Sequence, residues 1–242
     1  MTVRLAMWSG PRNISTAMMR AWENRRDTVV VDEPFYACYL AATGIEHPMG
    51  EAVIASQSTD WTEVAAQLST DPVASAIFYQ KHMTHHMLPG IELVWTERLQ
   101  HCFLVRDPFE VVNSYRQKRG RVTTDDIGLN RQLSLYEEIS AITGQSIPVI
   151  DAREVLINPR QVLGNLCRRL GIDFYDDMLS WAPGRRDSDG IWAPHWYSAV
   201  EQSTGFAAYQ PRDISLSAEE GKVAEASMDA YERLLALGRK TI

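Results

Sequence analysis

The chain has 242 residues, a formal net charge of −7, and a hydrophobic content of 45%. This composition is typical of a folded globular protein and excludes a mainly disordered chain. The acidic balance argues against nucleic acid polymers and anionic membranes as partners, because both favour a basic protein surface. It does not exclude a small anion bound in a locally basic pocket.

The 3 cysteines are sparse and have no CxxC spacing, which predicts reduced thiols rather than a disulfide framework. The N-terminal residues lack the pattern of a secretory signal peptide, and no apolar run approaches the ~20 residues of a membrane span. We therefore expect a cytoplasmic protein with no membrane partner. The sequence does not predict an oligomeric state.

Short apolar runs alternate with longer helical patterns, which predicts one α/β domain over residues 1–242 with a central, mostly parallel β-sheet flanked by helices. Strands are predicted at residues 3–8, 28–31, 76–81, 101–105 and 147–150. Helices are predicted at residues 15–25, 108–118, 127–143, 158–170 and 217–237, with further helical sequence from about 35 to 68. Residues 182–213 are rich in Gly, Pro, Trp and charge without periodicity, which is typical of a lid or binding loop.

The loop after the first predicted strand has the features of an anion site. The loop and the first turn of the next helix contain Gly10, Pro11, Arg12, Asn13, Ile14, Ser15 and Thr16. Free N–H groups at a helix start and the positive end of its dipole favour phosphate. It is not a Walker A loop, because the closing positions of GxxxxGK[ST], counted from Gly10, are Ser15, Thr16 and Ala17.

A second candidate anion site follows the fourth predicted strand. Arg106 lies where that strand ends, and Ser114 lies eight residues later in the next predicted helix. Ligands of open α/β sheets bind at the carboxyl ends of the strands. An arginine there is able to contact a phosphate with two N–H groups at once, which a lysine is not.

Both motifs resemble those of the sulfotransferase family. Residues 11–16 are similar to the family's PKSGTTW loop for the 5′-phosphosulfate, with Arg12 in place of the lysine and Ala17 in place of an aromatic residue. Arg106, Pro108 and Ser114 match the pattern RxPxxxxxS, which binds the 3′-phosphate in that family. Residues 147–172 resemble the family's strand, acidic turn, Asn-Pro pair and helix that ends in Leu-Gly.

The resemblance implies a P-loop-like fold and transfer of a sulfonate group from 3′-phosphoadenosine 5′-phosphosulfate to a hydroxyl or amine of a small acceptor, without metal. It implies that Arg12 stabilises the leaving phosphate. It also implies a general base, either His82, where one branch has a KTH-type histidine, or Glu33, since other branches use a glutamate. His85 and His86 are nearby alternatives.

Two parts of the family's site are matched less closely by this sequence: the residues that contact the adenine and the later residues that contribute to binding of the 3′-phosphate. Arg185 and Arg186, before a glycine, resemble a late RKG-type contribution to the 3′-phosphate. Because Ala17 replaces the aromatic residue that often lies near the adenine, stacking is expected from Trp192 or Trp196.

Two other functions stay open at this point. The strand–loop–helix alone is compatible with a P-loop-type small-molecule kinase that turns over ATP with magnesium. The arginine in place of the loop lysine is compatible with a non-catalytic nucleotide-binding protein. The spacing of His82, His85 and His86 is compatible with metal, but a zinc site needs three or four ligands, and no carboxylate or cysteine is well placed in sequence.

Overall fold

A computed structural model describes residues 2–117, 121–211 and 213–239. In that part of the chain one sheet has the order β2-β3-β1-β4-β5. Its strands are β1 Val3–Ser9, β2 Thr28–Asp32, β3 Ile77–Met83, β4 Gln100–Val105 and β5 Val149–Asp151. Every pairing within the sheet is parallel, so the predicted α/β class with a mostly parallel central sheet is confirmed.

The helices follow the predicted order, and two short helices lie in the segment 182–213, where none was predicted. Their bounds are α1 Ser15–Glu23, α2 Tyr36–Thr43, α3 Gly50–Ser56, α4 Trp61–Ser69, α5 Pro108–Arg116, α6 Thr124–Ile127, α7 Leu129–Thr143, α8 Ala152–Ile157, α9 Pro159–Arg169, α10 Ala193–Trp196, α11 Ser198–Glu201 and α12 Ala218–Arg239. The helical sequence at residues 35–68 forms three separate helices. Gly128, with a φ of 73°, separates α6 from the longer α7. Helix α8 was not predicted, and Lys118, at the end of one predicted helix, lies outside the described residues.

Helices cover both faces of the sheet, and the alternation of side chains along β1 serves both. Leu5 and Met7 pack with residues of α1 and α9, whereas Trp8 packs with residues of α4, α7 and α12 on the other face. Each such large apolar side chain stabilises the fold by about 1.5–3 kcal/mol when fully buried. No helix in the described ranges is long and apolar enough to cross a bilayer.

The loop-rich segment at residues 182–213 is held to the rest of the fold by buried contacts. It contains the short helices α10 and α11, and Trp192 and Tyr197 pack in a cluster with Tyr36 of α2. Arg20 of α1 forms a buried ion pair with Asp189, with 2.6 Å between Nη1 and Oδ1. The segment therefore forms a fixed wall beside α1 and α2.

Candidate active site

A cavity of about 580 Å³ lies at the carboxyl edge of the sheet. Its lining includes the loop after β1, Glu33 after β2, Lys81 near the end of β3 and Arg106 after β4. Strand β1 has β3 on one side and β4 on the other. Connections leave toward opposite sides at such a position, and ligands of open α/β sheets bind in the crevice that results.

The loop after β1 is fixed in a strained conformation next to β4. Arg12 has a φ of 54°, in the left-handed region that residues other than glycine rarely adopt. Asn13 Nδ2 donates to the carbonyl of Leu104 at 2.9 Å, which ties the loop to the neighbouring strand. Gly10 is needed for a close approach, because a Cβ atom there would lie 2.9 Å from the carbonyl oxygen of Ile127. Pro11 to Ala17 line the cavity, and Gly10 lies buried behind them.

The N terminus of α1 opens onto the cavity. No side chain in the described part of the protein caps this helix, and its first turn has no acidic residue. Ser15 and Thr16 line the cavity, and their hydroxyls have no hydrogen-bond partner among the residues that the structure describes. Together these groups offer N–H and O–H donors and the positive end of the helix dipole to an anion.

The two predicted arginines lie together at the cavity. Arg12 Nε donates to Ser114 Oγ at 3.1 Å, and Arg106 Nη1 donates to the carbonyl of Arg12 at 2.8 Å. Arg106 Nε also pairs with Glu110 at 2.9 Å. Within the described ranges, Arg12 Nη1 and Nη2 and Arg106 Nη2 have no partner. These nitrogens are therefore available to a ligand.

The electrostatics of this arginine pair favour a bound anion. Burial lowers the pKa of Arg12, and the nearby Arg106 lowers it further. Two cations held close together repel each other, and that repulsion is offset when an anion lies between them. The loop, the helix N terminus, Ser114 and the two arginines therefore fit a ligand that carries phosphate or sulfate groups.

A buried cluster of charged groups forms another part of the wall. Lys81 Nζ donates to Asp32 Oδ1 at 2.8 Å, to Glu33 Oε1 at 2.5 Å and to the hydroxyl oxygen of Tyr197 at 2.8 Å. Although burial lowers it, the pKa of Lys81 is raised well above its usual range by the two carboxylates. The lysine therefore stays protonated, and the cluster has one cation for two carboxyl groups.

Glu33 is the carboxyl group of this cluster that lines the cavity. Burial raises its pKa; the charge of Lys81 opposes the rise, and that of Asp32 adds to it. Its backbone φ is 44°, and its N–H donates to the carbonyl of Lys81 at 2.9 Å. A buried carboxyl group with a raised pKa, fixed beside a cavity, is suited to accept a proton near neutral pH.

The structure does not bring His82 to the cavity. Side chains alternate along β3, so Lys81 and Met83 line the cavity while His82 stacks on Trp8, with 4.2 Å between ring centroids. Its Nε2 bonds to Gln80 at 3.1 Å, and it is 2% exposed. The third position of a KTH-type motif counted from Lys81 is Met83. His82 thus lies one residue away from the cavity-facing position, on the opposite face of the strand.

The burial of His82 predicts a pH effect on stability. Burial lowers its pKa from 6.5 to about 3, so its contribution to stability is present above pH 6.5 and is lost as the pH falls from 6.5 toward 3. In wild type, the free energy of unfolding therefore decreases as the pH falls through this window. In His82→Phe, which retains a ring beside Trp8, we expect this decrease to be smaller than in wild type by up to about 1.4 kcal/mol per pH unit.

Urea unfolding between pH 6.5 and 4.5 measures this difference. His101, whose pKa burial lowers to about 4, is present in both proteins and cancels. The exposed His195→Phe is the control. Equal pH slopes for wild type and His82→Phe would contradict the buried, neutral state of this histidine.

The remaining predicted residues divide between cavity and surface. Arg185 is exposed, Arg186 Nη2 donates to the carbonyl of Ala182 at 3.2 Å, and neither lines the cavity. Trp192 and Trp196 do line it. They lie near the Glu33 cluster, because Trp192 Nε1 donates to the hydroxyl of Tyr197 at 3.0 Å.

Histidine and tyrosine rings continue that wall. His86 stacks on Tyr36 and Tyr39, with centroid distances of 4.5 and 5.0 Å. Its Nε2 lies 4.0 Å from Glu33 Oε2. Burial lowers the pKa of His86 well below its usual range, so the ring is neutral. The cavity thus has an aromatic region around Glu33 in addition to the region with the arginines.

Sequence reasoning missed Lys81 and Asp32 as parts of the site, and it predicted Tyr197 only as part of an aromatic lid or pocket wall. Trp192, Trp196 and Tyr197 do line the cavity. The signal for Lys81 was a lysine within a strand whose other residues are mostly uncharged. No local signal pointed to the hydrogen bond between Tyr197 and Lys81, because the two residues lie 116 positions apart in the chain.

Comparison with known sequences gives one family and two relatives. A family model described as "Sulfotransferase domain" matches residues 3–236. Two Arabidopsis thaliana proteins, named branched-chain-amino-acid aminotransferase-like protein 1 and 2, are 34% and 32% identical over 212 and 203 residues. The matches cover 87% and 84% of this chain but 38% and 36% of those proteins. The chain spans little more than a third of their length, so their names carry no activity over to it.

Solved structures show the same fold at low sequence identity. A sulfotransferase from Alicyclobacillus acidocaldarius has a TM-score of 0.58 and 10% identity, with 99% of this chain and 96% of that chain covered. The sulfotransferase domain from the curacin biosynthetic pathway has a TM-score of 0.53 and 14% identity, with 93% and 97% covered. The fold is thus the P-loop-like fold of sulfotransferases, and the match across residues 3–236 shows that this chain belongs to the sulfotransferase domain family.

Proposed function

We propose that the chain transfers a sulfonate group from 3′-phosphoadenosine 5′-phosphosulfate to a hydroxyl or amine of a small acceptor. The observation that carries this proposal is one cavity lined both by Arg12 and Arg106, with guanidinium nitrogens that have no partner among the described residues, and by Glu33, with a raised pKa. An anionic donor and a proton acceptor are the two requirements of such a transfer.

The first loop and α1 bind the 5′ end of the donor in this proposal. Arg12 Nη1 and Nη2, the hydroxyls of Ser15 and Thr16, and the first N–H groups of α1 contact the phosphosulfate. Arg12 keeps its positive charge near neutral pH, so it stabilises the leaving phosphate without giving it a proton. Pro11, Asn13 and Ile14 shape the loop.

Arg106 and Ser114 bind the 3′-phosphate. Arg106 Nη2 is free among the described residues, and the hydroxyl of Ser114 accepts from Arg12, which leaves its hydrogen to donate to a phosphate oxygen. Glu110 fixes the orientation of the Arg106 guanidinium by its bond to Nε. Arg185 and Arg186 are not part of the proposed site, because neither lines the cavity.

The donor supplies an activated sulfonate group: a bond from the acceptor oxygen or nitrogen to sulfur forms as the bond from sulfur to the phosphate oxygen breaks. The acceptor loses a proton as this bond forms, and Glu33 Oε2 takes it. Lys81 holds the other carboxyl oxygen of Glu33 at 2.5 Å and so orients the base. His82 has no role in this step.

The aromatic region around Glu33 binds the acceptor. Tyr36, Tyr39, Trp192 and Trp196 line this part of the cavity, and such walls suit an acceptor with a flat or apolar face. The acceptor is thus a small molecule whose hydroxyl or amine reaches Glu33. Neither nucleic acid nor membrane has a part in the reaction, and the protein acts in the cytoplasm.

Transfer of labelled sulfonate tests this proposal. The protein is incubated with donor labelled in the sulfonate, a panel of hydroxyl and amine acceptors, and EDTA. We expect a labelled product that forms without magnesium. Magnesium-dependent phosphoryl transfer from ATP to the same acceptors would instead identify a kinase. Binding of the donor nucleotide without transfer to any acceptor would favour a non-catalytic protein.

A further inference from the structure

Asp32 joins the loop-rich segment at residues 182–213 to the sheet. Its Oδ2 accepts from the hydroxyl of Tyr197 at 2.7 Å and from the N–H of Gly190 at 3.1 Å. Its Oδ1 accepts from Lys81 Nζ at 2.8 Å. One carboxylate thus joins β2, β3 and the segment that contains α10 and α11.

The hydroxyl of Tyr197 is the centre of this junction. It donates to Asp32, and it accepts from Lys81 Nζ at 2.8 Å and from Trp192 Nε1 at 3.0 Å. Tyr197 is 5% exposed and Lys81 is 1% exposed. In such a buried network the loss of one partner leaves a charged group unsatisfied, which is costly at low dielectric.

We propose that Tyr197 is a positioning residue: its hydroxyl holds Lys81 and Asp32 in place, and through Lys81 it holds Glu33 in the orientation from which Glu33 accepts the acceptor's proton. This proposal rests on the proposed function, in which Glu33 is the base. The proposal also assigns a function to the loop-rich segment at residues 182–213, because this segment contains Tyr197, which orients the base.

Among the described residues, four titratable groups interact with Glu33 or lie beside it. Asp32 comes from β2, Lys81 from β3, His86 from the turn after β3, and Tyr197 from between α10 and α11. Burial raises the pKa of Glu33, and the charge and hydrogen bond of Lys81 oppose this rise. Without the Tyr197 hydroxyl, Lys81 is held less firmly beside Glu33, so we expect the pKa of Glu33 to rise further.

Tyr197→Phe tests the proposal, and Tyr231→Phe is its matched control. Tyr231 is also buried, and its hydroxyl donates to Asp151 at 2.7 Å, the same length as the bond from Tyr197 to Asp32. The first readout is the protonation of the Glu33 carboxyl against pH, followed by infrared spectroscopy and assigned by its absence in Glu33→Gln. The second is the pH profile of kcat for sulfonate transfer.

We expect Tyr197→Phe to move the carboxyl titration and the acid limb of kcat to higher pH, and to lower kcat roughly tenfold at neutral pH. Its affinity for adenosine 3′,5′-bisphosphate stays within about twofold of wild type, because the arginines are unaltered. Tyr231→Phe leaves the titration where it is in wild type. An unshifted carboxyl titration in Tyr197→Phe, with normal bisphosphate binding, would overturn the positioning role but not the proposed function.

Two further outcomes distinguish a failure of the proposed function from a failure of the positioning role of Tyr197. If the wild type does not bind the bisphosphate, the proposed function fails, whereas a shifted titration still supports the link between Tyr197 and Glu33. If Tyr197→Phe does not fold, Trp192→Phe, which removes one donor to the Tyr197 hydroxyl, is expected to shift the titration in the same direction by less. No shift in that variant would overturn the proposal.

Discussion

Glu33→Gln lowers kcat for sulfonate transfer by roughly 10²- to 10⁴-fold, the range expected for the loss of a general base. The amide keeps the size of the side chain but does not accept the proton. The two arginines are unaltered, so we expect affinity for adenosine 3′,5′-bisphosphate to stay close to that of wild type. Steady-state kinetics over a pH series measures the effect.

The pH profile identifies the group that is lost. Burial raises the pKa of Glu33, so the wild-type rate falls as the pH drops through a value above the usual glutamate range. This limb disappears in Glu33→Gln. The exposed Glu51→Gln is the matched control and is expected to keep both kcat and the limb. A Glu33→Gln variant with wild-type kcat would exclude Glu33 as the base.

Arg106→Ala is expected to remove the protein's preference for nucleotides with a 3′-phosphate. In wild type, adenosine 3′,5′-bisphosphate binds roughly 100-fold more tightly than adenosine 5′-phosphate, because a charge-assisted contact to phosphate contributes about 1.5–3 kcal/mol and Ser114 adds to it. In the variant the two ligands bind with similar affinity. Equilibrium binding of both nucleotides to both proteins measures the change.

The control for Arg106→Ala is Arg116→Ala, at the end of helix α5, which follows Arg106 in the chain. Arg116 pairs with Glu220 at 3.3 Å and is partly exposed, so its loss is expected to change neither affinity by more than about twofold. If Arg106→Ala weakens both nucleotides equally, Arg106 does not contact the 3′-phosphate. It would then act on the loop after β1 through its bond to the carbonyl of Arg12.

Local sequence patterns predicted the helices and strands that are specified by neighbouring residues, such as a helix cap or a hydrophobic period. Asn158 and Pro159 predicted the start of α9, and Asn158 accepts from the N–H of Gln161 there. The arginines were predicted from strand ends and spacing, and parallel strands bring such positions to one edge of the sheet. The location of these two arginines at the carboxyl edge follows from the parallel topology, so the part of the cavity that they line was predictable from the sequence.

The buried cluster of charged groups around Lys81 was not predictable in the same way. Tyr197 reaches Lys81 and Asp32 only through the tertiary path of residues 182–213, which has no periodic pattern. Motif position predicts His82 as a base, but the alternation of side chains in β3 places its ring in the core, stacked on Trp8. Two residues of the site, Arg12 and Glu33, also have positive φ, which their residue types do not indicate.

The formal net charge of −7 sets a global field but does not describe this cavity. Arg12 and Arg106 place two positive charges at the cavity of an acidic protein, and the partial burial of Arg12 strengthens its field there. The proposed anionic ligand therefore follows from the local placement of charge and not from the net charge.

Calorimetric titration of the wild-type protein with adenosine 3′,5′-bisphosphate in EDTA tests the central claim most directly. We predict one binding site per chain with a Kd in the micromolar range, about −8 kcal/mol, and no requirement for magnesium. ATP with magnesium is predicted to bind more weakly, because it has no 3′-phosphate for Arg106 and Ser114. Tight binding of magnesium–ATP together with no binding of the bisphosphate would contradict the account.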